Sequence, residues 1–464
     1  VGAQRGAGAA HRPGALTVLL FGLGIAVVGL GLALSIALHE LGHLVPAKLF
    51  GVRVTQYMIG FGPTLLSRTR GETEYGLKAI PLGGYIRMIG MYPPHKGEPE
   101  GTIREDSTGL LQQITELSDE AKAYESAQYG PEDAHRTFVA LSVPKKLVVM
   151  LGGPAMNLLI SVVLMLVLVS GIGLPAITPT VQSVSECVVP ADAPADVSCE
   201  GRPPAPALAA GIRPGDTLRE IDGHRIQRWQ DVTTAVREAG DRTVDVVVER
   251  DGEELELQAT MVVDDRPVLD EDGAAVHDAA GDLVTEQVGF LGVAGTPDLE
   301  PQSPAAVPEM AWTAFTGTGR LVLTLPVRLW EVGQAAFGSA ERDPDGPLGV
   351  VGVSRLAGEV ASAEQPGFEL REKTGTMVSM LASLNMALFV FNLVPLLPLD
   401  GGHVAGALLE GARRSLARLR GRPDPGPVDM SRMLPVTNAV ALVLLVMTVL
   451  LLYADIVKPI TLFP

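Results

Sequence analysis

The apolar positions of this chain fall into long unbroken runs rather than short periodic faces. Ala15 to Leu38 carries no charged residue, and Leu147 to Ile172, Met377 to Leu399 and Leu434 to Tyr453 repeat the pattern. Each run reaches about 20 residues, enough to cross a hydrocarbon core of roughly 30 Å. Backbone N–H and C=O groups inside lipid must be satisfied within their own segment, so the four runs are predicted as helices. Burial inside a large soluble protein is the competing account of any single run, and four runs in one chain argue against it. The first run follows Arg5 and Arg12, as the apolar core of a signal peptide follows its basic start. It is too long for that role, and it leads into His39 and Glu40 rather than into a small-residue cleavage site.

Between the runs the pattern changes. From Val52 to Met88 glycines punctuate short β-branched and alternating stretches, which predicts small β-hairpins. From Pro93 to about Pro144 the chain turns polar, with an acidic stretch near Glu116 to Glu125, and reads as a loop with some helix and some disorder. Pro179 to Asp264 reads as a compact domain. It holds an amphipathic helix near Trp229 to Glu238 and a strand from Val244. The tight-turn pair Asp251-Gly252 leads to a second strand from Glu254. Ala191 to Pro206, rich in Pro, Ala and Asp, looks like a loop insertion. Ala311 to Phe337 is a milder apolar stretch interrupted by Arg320, Pro326, Arg328 and Glu331. A fifth span is one reading of it; recurring charge favours an amphipathic helix lying on the outer membrane surface.

Charge orients the spans. The chain has 464 residues and a formal net charge of −17, yet Arg413, Arg414, Arg418, Arg420 and Arg422 cluster between runs three and four. The positive-inside rule places that loop in the cytoplasm. Alternation then puts the acidic stretch between runs two and three outside, with Asp264-Asp265 and Asp270-Glu271-Asp272. It puts the stretch between runs one and two inside, and both termini outside. An acidic outer domain without a basic, aromatic-studded surface gives no support for nucleic-acid binding. The two cysteines, Cys187 and Cys199, both lie in the outer stretch, where an oxidising compartment favours a disulfide over two free thiols.

The candidate chemistry is His39-Glu40-Leu41-Gly42-His43. Four-residue spacing puts both imidazoles on one helix face, where they can share a zinc ion. In such motifs the adjacent glutamate, here Glu40, is the general base. Ionisable groups at membrane depth are costly and point to function. Zinc needs a third protein ligand. The soluble metzincin pattern calls for glycine at position 46 and histidine at 49, and Pro46 and Leu49 exclude it. Asp400 is the best candidate, at the end of the third run, where Pro395 and Pro398 should break or kink the helix and free backbone to line a cavity. His403 is a rival ligand, with a capping or supporting role as its alternative.

These residues carry a resemblance. The His39–His43 motif, Gly60-Phe61-Gly62-Pro63, Pro81-Leu82-Gly83-Gly84-Tyr85, Gly153-Pro154-Ala155-Met156-Asn157 and the segment Asn392 to Gly402 stand in the order found in the site-2 protease family of intramembrane zinc metalloproteases. The chain resembles that family across nearly its whole length, and more closely the bacterial branch that cleaves anti-sigma factors. The resemblance implies His39, His43 and Asp400 as Zn2+ ligands, Glu40 as catalytic base, and Asn392 as a group that holds substrate or the oxyanion. Asn157, Gly83 and Gly84 fall with Asn392 among the substrate-positioning candidates. Val52 to Met88 would be the family's membrane-dipping β element, which presents substrate as an extended strand; a plain cytoplasmic hairpin is the bland alternative.

Gly211 to Gly223 resembles a bacterial PDZ domain. Only one such pattern is present, as in the single-PDZ actinobacterial type, whereas better-known relatives have two. In this branch the domain is implied to act as a size filter, with a passive spacer as the alternative.

The resemblance implies a polytopic α-helical membrane protein with about four transmembrane helices, a membrane-associated β-hairpin region and an extracytoplasmic α+β PDZ domain. The expected organisation is a first transmembrane helix with the zinc motif (1–50), the β region and cytoplasmic loop (51–145) and a second transmembrane helix (146–175). The PDZ domain (179–265), a linker with an amphipathic helix (266–375) and the last two transmembrane helices with the aspartate ligand (376–464) follow. The implied function is second-step cleavage of a single-span membrane protein, an anti-sigma factor, after an upstream site-1 protease has trimmed it. The enzyme would be multi-pass in the cell membrane, with its active site toward the cytoplasm. The alternatives are a non-proteolytic PDZ scaffold, or the same protease acting on signal-peptide remnants.

Overall fold

The computed structural model describes residues 14–91, 105–107, 131–188, 198–268, 276–277, 283–344, 346–365, 367–428 and 434–462. Arg5, Arg12, the acidic stretch Glu116 to Glu125, residues 191–197 of the Ala191 to Pro206 insertion and Asp270-Glu271-Asp272 lie outside the described residues. The chain forms two compact units. One joins residues up to Ile172 with those from Ser303 onward, and the other is Gly173–Gln302.

The first unit opens with α1 (Ala15–Leu49), which continues well past the charge-free run, so the His-Glu motif rides on its last turns. Next come β1 (Val54–Arg70), β2 (Thr73–Ile89) and the short β3 (Glu105–Ser107). The glycines between Val52 and Met88 fold this sheet back on itself. Gln56 to Ile59 pair on one side with Gly84 to Arg87 and on the other with Glu74 to Leu77, while Thr64 to Arg70 pair with Thr73 to Lys78. Val54, Met58, Ile86 and Met88 are buried, whereas Leu65 and Leu66 in the distal hairpin are exposed. After α2 (Val143–Val167), which ends in a π turn over Leu168–Ile172, the chain enters the second unit.

That unit holds β4 (Leu174–Val184), α3 (Pro206–Ala210), β5 (Thr217–Ile221), β6 (His224–Arg225), α4 (Trp229–Ala239) and β7 (Thr243–Arg250). It continues with β8 (Glu253–Thr260), β9 (Val262–Pro267), β10 (Thr285–Phe290) and β11 (Val293–Glu300). The main sheet has the order β11-β4-β5-β7-β8, and β9 pairs with β10 separately. Asp251 and Gly252 both have positive φ, 54° and 84°, as the β7–β8 hairpin turn requires. Leu218, Ile221, Val246, Val248 and Leu291 centre its core. The unit is wider than the expected 179–265 because β11 returns to pair along β4. Cys187 and Cys199 are joined by a disulfide, with 5.7 Å between their Cα atoms.

The chain then rejoins the first unit through α5 (Val307–Phe337) and α6 (Val350–Ser362), followed by α7 (Leu370–Asn392), α8 (Asp400–Leu419) and α9 (Leu434–Val457). Of the expected linker 266–375, the part from Ser303 therefore belongs to the helical unit, where α5 packs on α2, α7 and α9. Among the described residues, four helices are long and apolar enough to cross a membrane: α1, α2 with its π turn, α7 and α9. The third run divides. Pro395 and Pro398 cannot continue a helix, so α7 stops at Asn392, and Asp400 opens the next helix rather than closing α7.

Helices in lipid gain little from burying apolar surface against each other, so they associate by close packing and polar contacts. A Cβ on Gly42 would stand 2.3 Å from the Gly152 carbonyl oxygen, and one on Gly24 would stand 2.2 Å from that of Ala357. These glycines let α1 touch α2 and α6 backbone to backbone. Polar contacts link α7 to both earlier spans, from Asn385 to the Ser35 hydroxyl at 3.0 Å and from Ser161 to the Ala382 carbonyl at 2.8 Å.

In the second unit the Arg250 guanidinium donates to both oxygens of buried Asp216 at 2.7 Å, and the Arg213 amide adds a third bond at 2.8 Å. The hydrogen bonds from Arg250 hold the Asp216 carboxyl below the ordinary value of 3.8. The stability this gives is present above pH about 3.8 and is lost as pH falls through the lower folded-state value. Asp216→Asn should therefore lower the stability of this unit at neutral pH. It should also flatten the acid dependence below pH about 4, as read by hydrogen exchange of β5 and β7 in the full chain.

Candidate metal centre

The last turns of α1 bring His39 and His43 onto one face, with their Nε2 atoms 3.2 Å apart. Asp400, the first residue of α8, completes a triangle. Its Oδ2 lies 3.3 Å from His39 Nε2 and 3.4 Å from His43 Nε2. A tetrahedral ion with bonds of about 2.0–2.1 Å holds its ligand atoms about 3.3–3.4 Å apart, so the three edges fit zinc. The chemistry of the donors agrees: two imidazoles and a carboxylate are a catalytic zinc set with a fourth position left open. Asp400 Oδ2 accepts no hydrogen bond, although its side chain is only 8% exposed. A carboxylate so desolvated calls for a cation.

The surroundings aim the imidazoles. His43 Nδ1 lies 2.8 Å from the Val149 carbonyl oxygen, an acceptor, so Nδ1 carries the proton and Nε2 presents its lone pair to the triangle. His39 Nδ1 faces the Asn157 amide at 3.1 Å. The group placed there is the amide nitrogen, while Asn157 Oδ1 is buried without a partner; the opposite amide orientation, with Oδ1 accepting from Nδ1–H, gives His39 the same tautomer as His43. Asn157 thus sits behind a histidine, a ligand-orienting place, where the sequence suggested contact with substrate. Both orienting groups come from α2, as does Gly153, where a Cβ would stand 2.2 Å from His43 Nε2 and 2.7 Å from His39 Nε2. Only glycine leaves room for the triangle.

Glu40 is buried beside the histidines, under β2. A Cβ on Gly84 would approach its Cγ to 3.1 Å. Gly83, at φ +112°, leaves the space filled by the Phe61 ring, which stacks on Tyr85. The Tyr57 hydroxyl donates to the Ala37 carbonyl at 2.8 Å and ties the sheet to α1 two residues before the motif. At the other end, Gly401 and Gly402 let the turn after α7 fold over the first turn of α8; a Cβ on Gly401 would stand 2.3 Å from the Val394 oxygen. Asn392 is the half-buried last residue of α7. His403 is buried one turn beyond Asp400. Among the described residues the group that could hold a metal ion is His39, His43 and Asp400, without it.

The sequence pointed to the three ligand candidates and to Glu40. It did not reveal the Val149 carbonyl, which is a backbone group, or the cradle at Gly153. The visible signal for the latter was Gly152-Gly153-Pro154 inside an otherwise apolar run. Asn157→Ala should speed metal release about 10–100-fold, with α2 still packed, measured by competition with a colorimetric chelator.

The model of "Peptidase family M50" matches residues 27–422. The chain is 32% identical over 458 residues to "Zinc metalloprotease Rip1" of Mycobacterium tuberculosis (strain ATCC 25618 / H37Rv), spanning 96% of this chain and 100% of that protein. It is 33% identical over 461 residues to the protein of the same name in Mycolicibacterium smegmatis, with the same coverage of each. The matched stretch contains the His39–His43 motif, the glycines of α2 and Asp400. The chain belongs to peptidase family M50, the site-2 protease family of zinc metalloproteases.

Proposed function

We propose that this membrane metalloprotease makes the second cut in a single-span membrane protein, an anti-sigma factor, once an upstream site-1 protease has removed the outer part of that substrate. The carrying observation is that His39, Glu40 and His43 stand on α1, itself long and apolar enough to span the bilayer, and that Asp400 at the start of α8 closes the triangle with the two histidines. Zinc held by those three side chains supplies Lewis acidity toward water and the scissile carbonyl. Glu40 takes a proton from the attacking water as its oxygen bonds to the carbonyl carbon. It then delivers that proton to the departing amide nitrogen as the C–N bond breaks. Gly84 lets β2 pass close over Glu40, Gly83 seats the Phe61 ring beside it, and an extended substrate would lie along this strand, with Asn392 serving the substrate carbonyl from the end of α7.

The arginine cluster from Arg413 to Arg422 supports a cytoplasmic end for α8, with the centre on that side of the membrane. The disulfide supports an extracytoplasmic Gly173–Gln302 unit. We read that unit as a PDZ-like size filter rather than a peptide receptor. Its helix α4 lies directly on β10 and β11: a Cβ on Gly289 would stand 2.1 Å from the Val236 oxygen, and one on Gly295 would stand 2.6 Å from the Trp229 ring. Helix α5 packs on α2, α7 and α9, and its Phe315 ring lies 6.0 Å from Phe389 near the end of α7, so we read it as inserted beside the spans and not as lying on the outer surface.

Glu40→Gln should keep one zinc per chain while cutting turnover of a single-span model substrate about 10²–10⁴-fold. Metal analysis and cleavage of the reconstituted protein check this, and undiminished turnover would sink the mechanism. Proteomics of membrane fractions should show single-span proteins that accumulate only with the Gln variant.

A further inference from the structure

Asp400 reaches the histidines only if α8 sits at one particular height along α2. The two helices run antiparallel. Asp400, at the start of α8, lies beside the histidines that Gly153 of α2 cradles, whereas a Cβ on Gly411 would stand 3.2 Å from Val143 at the start of α2. Of the residues of α8 buried between these points, Gly401 and Gly402 meet the turn after α7, and only His403 and the small Gly406 and Ala407 come before Glu410. Two small residues in succession offer few knobs to fix a register.

Beyond His403, one charged feature marks this stretch. Lys146 donates to both oxygens of Glu410, at 3.0 and 2.8 Å, and both side chains are only 4% exposed. Arg414, one turn later, reaches the same carboxylate at 3.0 Å. Sliding α8 by one turn, 5.4 Å, would part these charges while both remain desolvated, and would carry Asp400 out of reach of His39 and His43. Buried ion pairs are weak general stabilisers, but a single buried polar contact can select one register among near-equal packings.

We propose that Lys146 and Glu410 are positioning residues that set the register of α8 on α2 and so hold Asp400 at the metal. This rests on the reading of His39, His43 and Asp400 as the zinc ligands.

The test uses the full-length protein in detergent, loaded with zinc or with cobalt as a spectroscopic probe. Lys146→Met with Glu410→Met replaces the pair by apolar side chains of similar length. That double variant should melt within a few degrees of the parent, yet release zinc at least about tenfold faster, with an altered cobalt absorption spectrum. Lys146→Arg, which keeps the pair, should retain the parental spectrum and release rate within about threefold. Parental zinc release and spectrum in the double variant would overturn the proposal, as would equal loss in the double variant and in Lys146→Arg. If the double variant does not fold, Glu410→Gln takes its place, with the same spectral change supporting the proposal and a parental spectrum overturning it. Asp400→Asn separates the two ideas: full zinc binding in that variant would remove the ligand assignment itself, whatever the register pair does.

Discussion

The arrangement depends on one buried carboxylate. Asp400 places a negative oxygen 3.3 and 3.4 Å from two imidazole nitrogens, inside a helical unit with little water to solvate it. A charge in such a place is tolerable only when opposite charge is fixed beside it. Much of the nearby structure serves that fixation. The glycine crossing of α1 and α2 sets the histidines, the Val149 carbonyl and Asn157 choose their tautomers, and the Gly401-Gly402 pair lets α8 begin where it must.

Glycine is the common instrument. Gly42, Gly152 and Gly153 remove side chains where two helices and a metal-sized space must coexist, and Gly84 removes one where a strand passes over Glu40. In each case the contact is with backbone or with a group close to the reaction, so a methyl group has nowhere to go. A membrane interior lacks the apolar driving force that would forgive a loose fit, which makes such close approaches the natural way to hold a site in lipid.

Much of this was legible in the sequence because lipid imposes length and polarity rules that are easy to read. The charge-free stretch of α1 and the apolar runs of α2 and α9 followed from them, as did the prolines that end the third run. The His39–His43 spacing and the Asp251-Gly252 turn also carried local signals that needed no tertiary context. What stayed hidden was long-range. The return of β11 onto β4 joins residues that no local pattern connects. The packing of α5 against three helices is decided by partners rather than by its own mixed composition. Asn157 looked like a substrate contact because its sequence neighbours are shared motif residues, and only the approach of α2 to α1 shows that it faces His39.

The order of the ligands along the chain has a consequence for synthesis. His39 and His43 lie near the start and Asp400 near the end, on a helix that follows the third span. A ribosome emits the first two spans and the whole Gly173–Gln302 unit before the aspartate exists. The partly made chain has its histidines already aimed by α2 and Glu40 beside them, yet it lacks the third side chain of the group that could hold a metal ion. The triangle therefore closes only after the third span has been made, and a product lacking α8 would keep two of its three corners.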